Sequence, residues 1–195
     1  SKTIDDLAIP DTLQALLIAR MDRLDEEART TLQLASVIGR SFYFRILQAI
    51  SDTAFALDKR LTALERVELL EQARRRPELE YMFRHELTRD AAYGSILNRR
   101  RREFHARVAA AIETLFADDI EEQAHRLGQH YALAGNDQKA LEYYEMAAEV
   151  ASNLGADDES AEHYARALSA ADRLGDASAA ARLRAKQAFA TQHPA

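Results

Sequence analysis

Apolar positions in the first part of the chain recur at helical spacing, interrupted by residues that start or stop helices. Behind Pro10, Asp11 reads as the N-cap of a helix buried through Leu13, Leu16, Leu17, Met21 and Leu24. Asp25-Glu26-Glu27 places acidic side chains at the positive end of a second helix, which buries Leu32, Ala35 and Ile38 and stops at Gly39. A short apolar helix is expected over Tyr43 to Ile50. Ser51-Asp52-Thr53 then caps a longer one carrying Leu57, Leu61 and Leu64. At Val67 the period changes. Leu79, Tyr81 and Phe83 alternate with Glu80, Met82 and Arg84, which is strand spacing. The run from Val67 to Gln72 can pair with that strand across Arg74-Arg75-Arg76-Pro77-Glu78, although a helix ending near Ala73 fits its pattern almost as well. The stretch from Glu80 to Glu113 reads as this strand, a sharp turn at Arg84-His85, and two helices hinged at Asn98.

Beyond His85 the helical period persists. Phe104, Val108, Ala111, Ile112 and Leu115 form one stripe, and Asp118-Asp119 caps the next helix. From Glu121 a tetratricopeptide-like pattern sets in, the helix-pair repeat of about 34 residues in which small residues allow close helix contact. Leu127, Gly128, Tyr131, Ala140, Tyr144 and Ala147 fall at its consensus offsets, while Ala124 and Ser152 depart from it. One period back, Glu113 occupies a position that should be small. One period forward, Ser160 to Leu168 resembles a repeat helix but arrives early. The predicted fold is mostly α. Residues 1–103 form a winged-helix-like module (helices followed by a β-hairpin), and residues 104–195 form tetratricopeptide-like antiparallel helical pairs, an α-solenoid piece.

Composition supports long helices with short links, since 195 residues contain only six Gly and three Pro. With no cysteine there is no disulfide, thiolate metal site or thiol nucleophile. No apolar run approaches a membrane span and no signal peptide opens the chain, so the default location is the cytoplasm. The net charge of −6 is uneven. Residues 1–103 carry 18 basic against 17 acidic side chains, and residues 104–195 carry 8 against 15. An acidic second half disfavours nucleic acid as a partner there.

Two stretches, Ile9–Phe42 (IPDTLQALLIARMDRLDEEARTTLQLASVIGRSF) and Phe83–His105 (FRHELTRDAAYGSILNRRRREFH), resemble the region after the nucleotidase core of large bacterial STAND-type signal-transduction ATPases. In that group the core often follows an adenylate or guanylate cyclase domain and precedes tetratricopeptide repeats. The chain contains no G-x-x-x-x-G-K-[ST] loop. The resemblance therefore implies a non-catalytic segment without a cofactor of its own, ATP or ADP belonging to the parent protein. Its partner would be another protein or the parent's own nucleotidase core. In the family a winged-helix histidine touches the β-phosphate of bound ADP and holds the inactive state. The resemblance makes His85 the candidate, in Arg84-His85-Glu86 where the family more often has Met-His-Asp.

Other candidates follow from residue type. An imidazole at a helix start, as His85 is, can join free backbone N–H groups around an anion. The H-E-x-x-H zinc pattern fails because Arg89 stands at the second ligand position, and no metal site is expected. Arg99, Arg100, Arg101 and Arg102 could meet phosphates or an acidic partner, or form a solvated face paired with Glu86, Asp90 and Glu103. Arginines at a helix N-terminus oppose its dipole and suggest acidic neighbours. The polar residues of Leu57–Arg66 are too mixed in sign for a DNA-reading helix. Tyr131 and Tyr144 sit at packing positions, whereas Tyr143 and His163 are expected to be freer on the repeat face. Asp118, Asp119, Glu121 and Glu122 read as capping carboxylates rather than an acid–base pair. Two rival readings remain open: a free-standing tetratricopeptide scaffold, and a winged-helix transcription factor.

Overall fold

A computed structural model describes residues 11–52 and 54–192. Among them the chain forms ten α-helices and one three-stranded antiparallel sheet, a mostly helical protein. It divides into two units, Ser1–Arg101 and Arg102–Ala195.

The first unit is built around one helix. After α1 (Asp11–Asp22), Asp25 accepts the backbone N–H of Ala28 at 2.7 Å and starts α2 (Glu26–Ile38). Every residue from Thr31 to Ile38 is buried. A helix covered on all sides must be satisfied from within, and its polar side chains are: Thr31 donates to the Glu27 carbonyl, Ser36 to the Gln33 carbonyl, and the Gln33 amide to the Ser95 hydroxyl. Around it lie β1 (Ser41–Tyr43), α3 (Phe44–Ile50), α4 (Leu57–Arg66), β2 (Leu70–Arg74), β3 (Glu80–Phe83) and α5 (Glu86–Gly94). The sheet order is β1-β3-β2, with Phe42 opposite Tyr81, Leu70 opposite Phe83, and an irregularity between Gln72 and Arg74. Phe42, Tyr81 and Phe83 are buried together, Phe42 stacking on Tyr81 at 6.2 Å. Burial of each such ring stabilises the fold by roughly 2 kcal/mol.

The first hairpin strand runs Leu70–Arg74 rather than Val67–Gln72, and the helical alternative through Ala73 does not occur. The offset arises at the end of α4, where Leu69 donates to the Leu64 carbonyl and Glu68 to the Glu65 carbonyl. This Schellman closure puts Glu68 at φ +58, a left-handed position where glycine is usual. Strand β1 takes Tyr43 out of the predicted helix, and three residues are too few to show alternation. Leu16 is exposed rather than buried, whereas Leu17 and Met21 are buried. Asp11 is itself helical rather than a flanking cap. Pro10, the Leu13 side chain and Thr53 lie outside the described residues. Ser51 donates to the Leu47 carbonyl at the end of α3, and a 3-10 turn, Ala54–Ala56, leads into α4 without a side-chain cap.

The division between units falls inside α6 (Asn98–Leu115). The second unit continues with α7 (Ile120–Ala134), α8 (Asp137–Asn153), α9 (Asp157–Leu174) and α10 (Ala177–Gln192), each packed on its predecessor from α8 onward. Asp118 and Asp119 lie in a 3-10 turn, Ala117–Asp119, and Asp119 makes no capping bond to α7. The later turns are near-copies. Gly135, Gly155 and Gly175 all have positive φ and recur every 20 residues. At each, the glycine N–H returns to the carbonyl three residues back and the next N–H to that five back. Asn136 then accepts the Lys139 N–H, and Asp176 that of Ala179. The unit of repetition is therefore one helix and one turn. Ala140, Tyr144 and Ala147 recur as Ser160, Tyr164 and Ala167, all buried, which explains why the second run arrives early against a helix-pair period. Gly128 lets α8 approach α7: a Cβ there would stand 2.7 Å from the Tyr144 ring.

Candidate functional site

The turn between β3 and α5 carries His85. This residue is the extended N-cap of α5, and its carbonyl accepts the Thr88 N–H at 3.0 Å. Its ring is exposed and makes no capping hydrogen bond. Helix geometry leaves the next N–H groups, of Glu86 and Leu87, without intrahelical acceptors. Two arginines flank the corner, each next to a carboxylate: Arg84 lies 3.2 Å from Glu68 and Arg40 lies 3.8 Å from Glu86. An imidazole, open N–H groups and two exchangeable cations can together receive an anion.

Within the run Arg99–Arg102, Arg101 is engaged by the protein itself. The Arg101 guanidinium donates to the carbonyls of Tyr93 and Ile96 at 3.1 and 3.0 Å and lies 4.3 Å over the Tyr93 ring. Its partners are thus carbonyl oxygens at and just beyond the end of α5, where the dipole is negative, rather than the carboxylates expected from sequence. Arg102 is exposed.

A cleft of 480 Å3 lies in the first unit among α1, α2 and α5. Its walls are Ile18, Met21, Leu87 and Ala91, with Arg29 and Asp90 among the polar lining. The Arg29 guanidinium donates to the Asp22 carbonyl at 3.1 Å, and its Nε is buried without a hydrogen-bond partner.

In the second unit Tyr143 and His163 prove buried, at 8% and 6% exposure, correcting the expectation of a free repeat face. They occupy the same position in successive 20-residue repeats, and that position points back onto earlier helices. The Tyr143 hydroxyl donates to Glu113 of α6 at 2.6 Å, and its ring stacks on Tyr131 of α7 at 5.7 Å. Lys139 completes the group, with Nζ 2.7 Å from Glu113 and 3.0 Å from the Tyr131 hydroxyl. Glu113 breaks the small-residue expectation because it has three donors. Burial raises its pKa, but the hydrogen bonds from Lys139 and the tyrosine hydroxyls outweigh this and hold it below the usual carboxylate value. The same contacts raise Lys139, and burial followed by the Glu113 hydrogen bond raises Tyr143. His163 lies 6.4 Å from both the Tyr144 and His125 rings and 3.5 Å from Glu159, and its Nδ1 is buried without a hydrogen-bond partner.

One buried pair has no signature in the sequence. His105 of α6 and His130 of α7 meet Nδ1 to Nδ1 at 2.9 Å, so one ring donates and the other accepts. Burial, then the neighbouring His105, then Arg126 push the His130 pKa down to about 3. Neither residue stands out by spacing, since nothing local marks two histidines 25 residues apart as neighbours.

No group of three or more His, Cys, Asp or Glu side chains able to hold a metal occurs among the described residues. No described helix is long and apolar enough to cross a membrane. Comparison of the chain with protein families, characterised proteins and solved structures gives no match.

Proposed function

We propose that this chain is a non-catalytic regulatory segment of a larger signal-transduction ATPase of the STAND type. In this reading the first unit is a winged-helix-like module that docks on a nucleotidase core. The second is a tetratricopeptide-like stack that receives a protein partner and relays its binding. The order of helices, the β1-β3-β2 sheet with its hairpin, and the helical repeat that follows all fit this arrangement. The observation that carries the proposal is the His85 corner, an exposed imidazole at an open helix start between Arg40 and Arg84. Such a corner can meet the β-phosphate of ADP and favour the closed state by binding it differentially. In the full-length protein, His85→Ala should raise basal ATP turnover about threefold or more while leaving the far-UV circular dichroism unchanged. Equal turnover in mutant and wild type would remove the sensor role.

A further inference from the structure

A second cleft of the first unit, 310 Å3 in volume, lies where the end of α1 meets the end of α4. It is lined by Arg20, Arg23, Leu24, Arg66, Val67 and Glu68. Several arginines of this unit have an acidic neighbour: Arg29 with Asp22, Arg40 with Glu86, Arg45 with Glu78, Arg60 with Glu27. Among the described residues, the three guanidinium groups of the cleft have no carboxylate within ion-pair reach. The single acid in the lining, Glu68, is 3.2 Å from Arg84 and fixed in the left-handed closure of α4.

Part of the positive charge has a structural role. Arg20 and Arg66 sit in the last turns of α1 and α4, where each helix end presents about half a negative charge. Two helix ends offset about one of the three charges, leaving an excess of about two. A phosphate monoester carries about −1.5 to −2 at neutral pH and offers the oxygens that guanidinium forks bind in pairs. Leu24 and Val67 add an apolar wall for the carbon skeleton bearing the phosphate.

We propose that this cleft binds the phosphate group of a phosphomonoester, with Arg20, Arg23 and Arg66 as its ligands. None of the three arginine ligands belongs to the His85 corner, although Glu68 of the lining pairs with Arg84 there, and the site stands whether or not the chain belongs to an ATPase. The 195-residue chain is titrated at low ionic strength with ribose 5-phosphate and with phosphoserine capped at both ends, followed by backbone amide NMR. Ribose serves as the phosphate-free control. Saturable shifts are expected at Arg20, Arg23, Leu24, Val67 and Glu68 for a phosphate probe and none for ribose. Arg20→Gln and Arg66→Gln should each weaken binding tenfold or more, and Arg66→Lys, which keeps the charge and the fold, should weaken it less. Arg74→Gln, the same charge change on the hairpin, and His85→Ala should leave binding within twofold. Tighter binding of capped phosphoserine assigns the site to a phosphorylated side chain, and tighter ribose 5-phosphate to a soluble metabolite. The proposal is overturned if shifts do not saturate, or if Arg74→Gln weakens binding as much as Arg66→Gln.

Discussion

Two junctions of the helical unit occupy one position of the 20-residue repeat and are filled in opposite ways. At Tyr143 every polar group has a partner, because Glu113, Lys139 and two tyrosine hydroxyls close a network across α6, α7 and α8. Twenty residues on, His163 replaces Tyr143, Glu159 replaces Lys139 and Ala151 replaces Tyr131. There the imidazole keeps one nitrogen near an exposed glutamate and the other buried and unbonded. The backbone repeat fixes where a side chain goes, and the chemistry placed there sets how firmly the helices are held. A buried polar group is an asset only when all its partners are present.

The largest expected effect concerns α6 against α7 and comes from pH. The His130 pKa lies near 3 when folded and near 6.5 when unfolded, so the unfolded chain binds more protons between these values. The contribution of neutral His130 is fully present above pH 6.5 and is lost at up to about 1.4 kcal/mol per unit as pH falls. Urea unfolding between pH 7.5 and 5 should show this decline, and His130→Gln should flatten it. An unchanged slope in the variant would place the proton elsewhere. Next in size is Glu113→Ala, which strands Lys139 and two tyrosine hydroxyls and should cost about 2 kcal/mol in the same assay. A loss below about 0.5 kcal/mol would mean that the two junctions are held equally well. The smallest effect sharpens the contrast between equivalent positions. Lys139→Gln should cost about 1 kcal/mol, whereas Glu159→Gln, whose partner contact is exposed, should stay within about 0.5 kcal/mol.

The helical class and the hairpin were legible because period and punctuation are local properties, as the Leu57/Leu61/Leu64 stripe and the Tyr81/Phe83 alternation show. Strand β1 was not legible, since it exists only by pairing with residues about 40 positions later. A helix-pair period makes Tyr143 and His163 resemble surface positions and hides their equivalence, which the 20-residue glycine spacing exposes. Arg101 looked like part of a charged face. Its role depends on α5 ending where its guanidinium can reach, a geometric fact that the arginine run does not encode. The His105–His130 pair depends wholly on tertiary placement.

The three glycine closures carry a consequence for how such an array can change length. Each closure reverses the direction of travel, so gaining or losing a single 20-residue segment would leave everything downstream running the opposite way. Only even steps keep the C-terminal end oriented as before. Lineages that lengthen or shorten this stack should therefore differ by about 40 residues at a time.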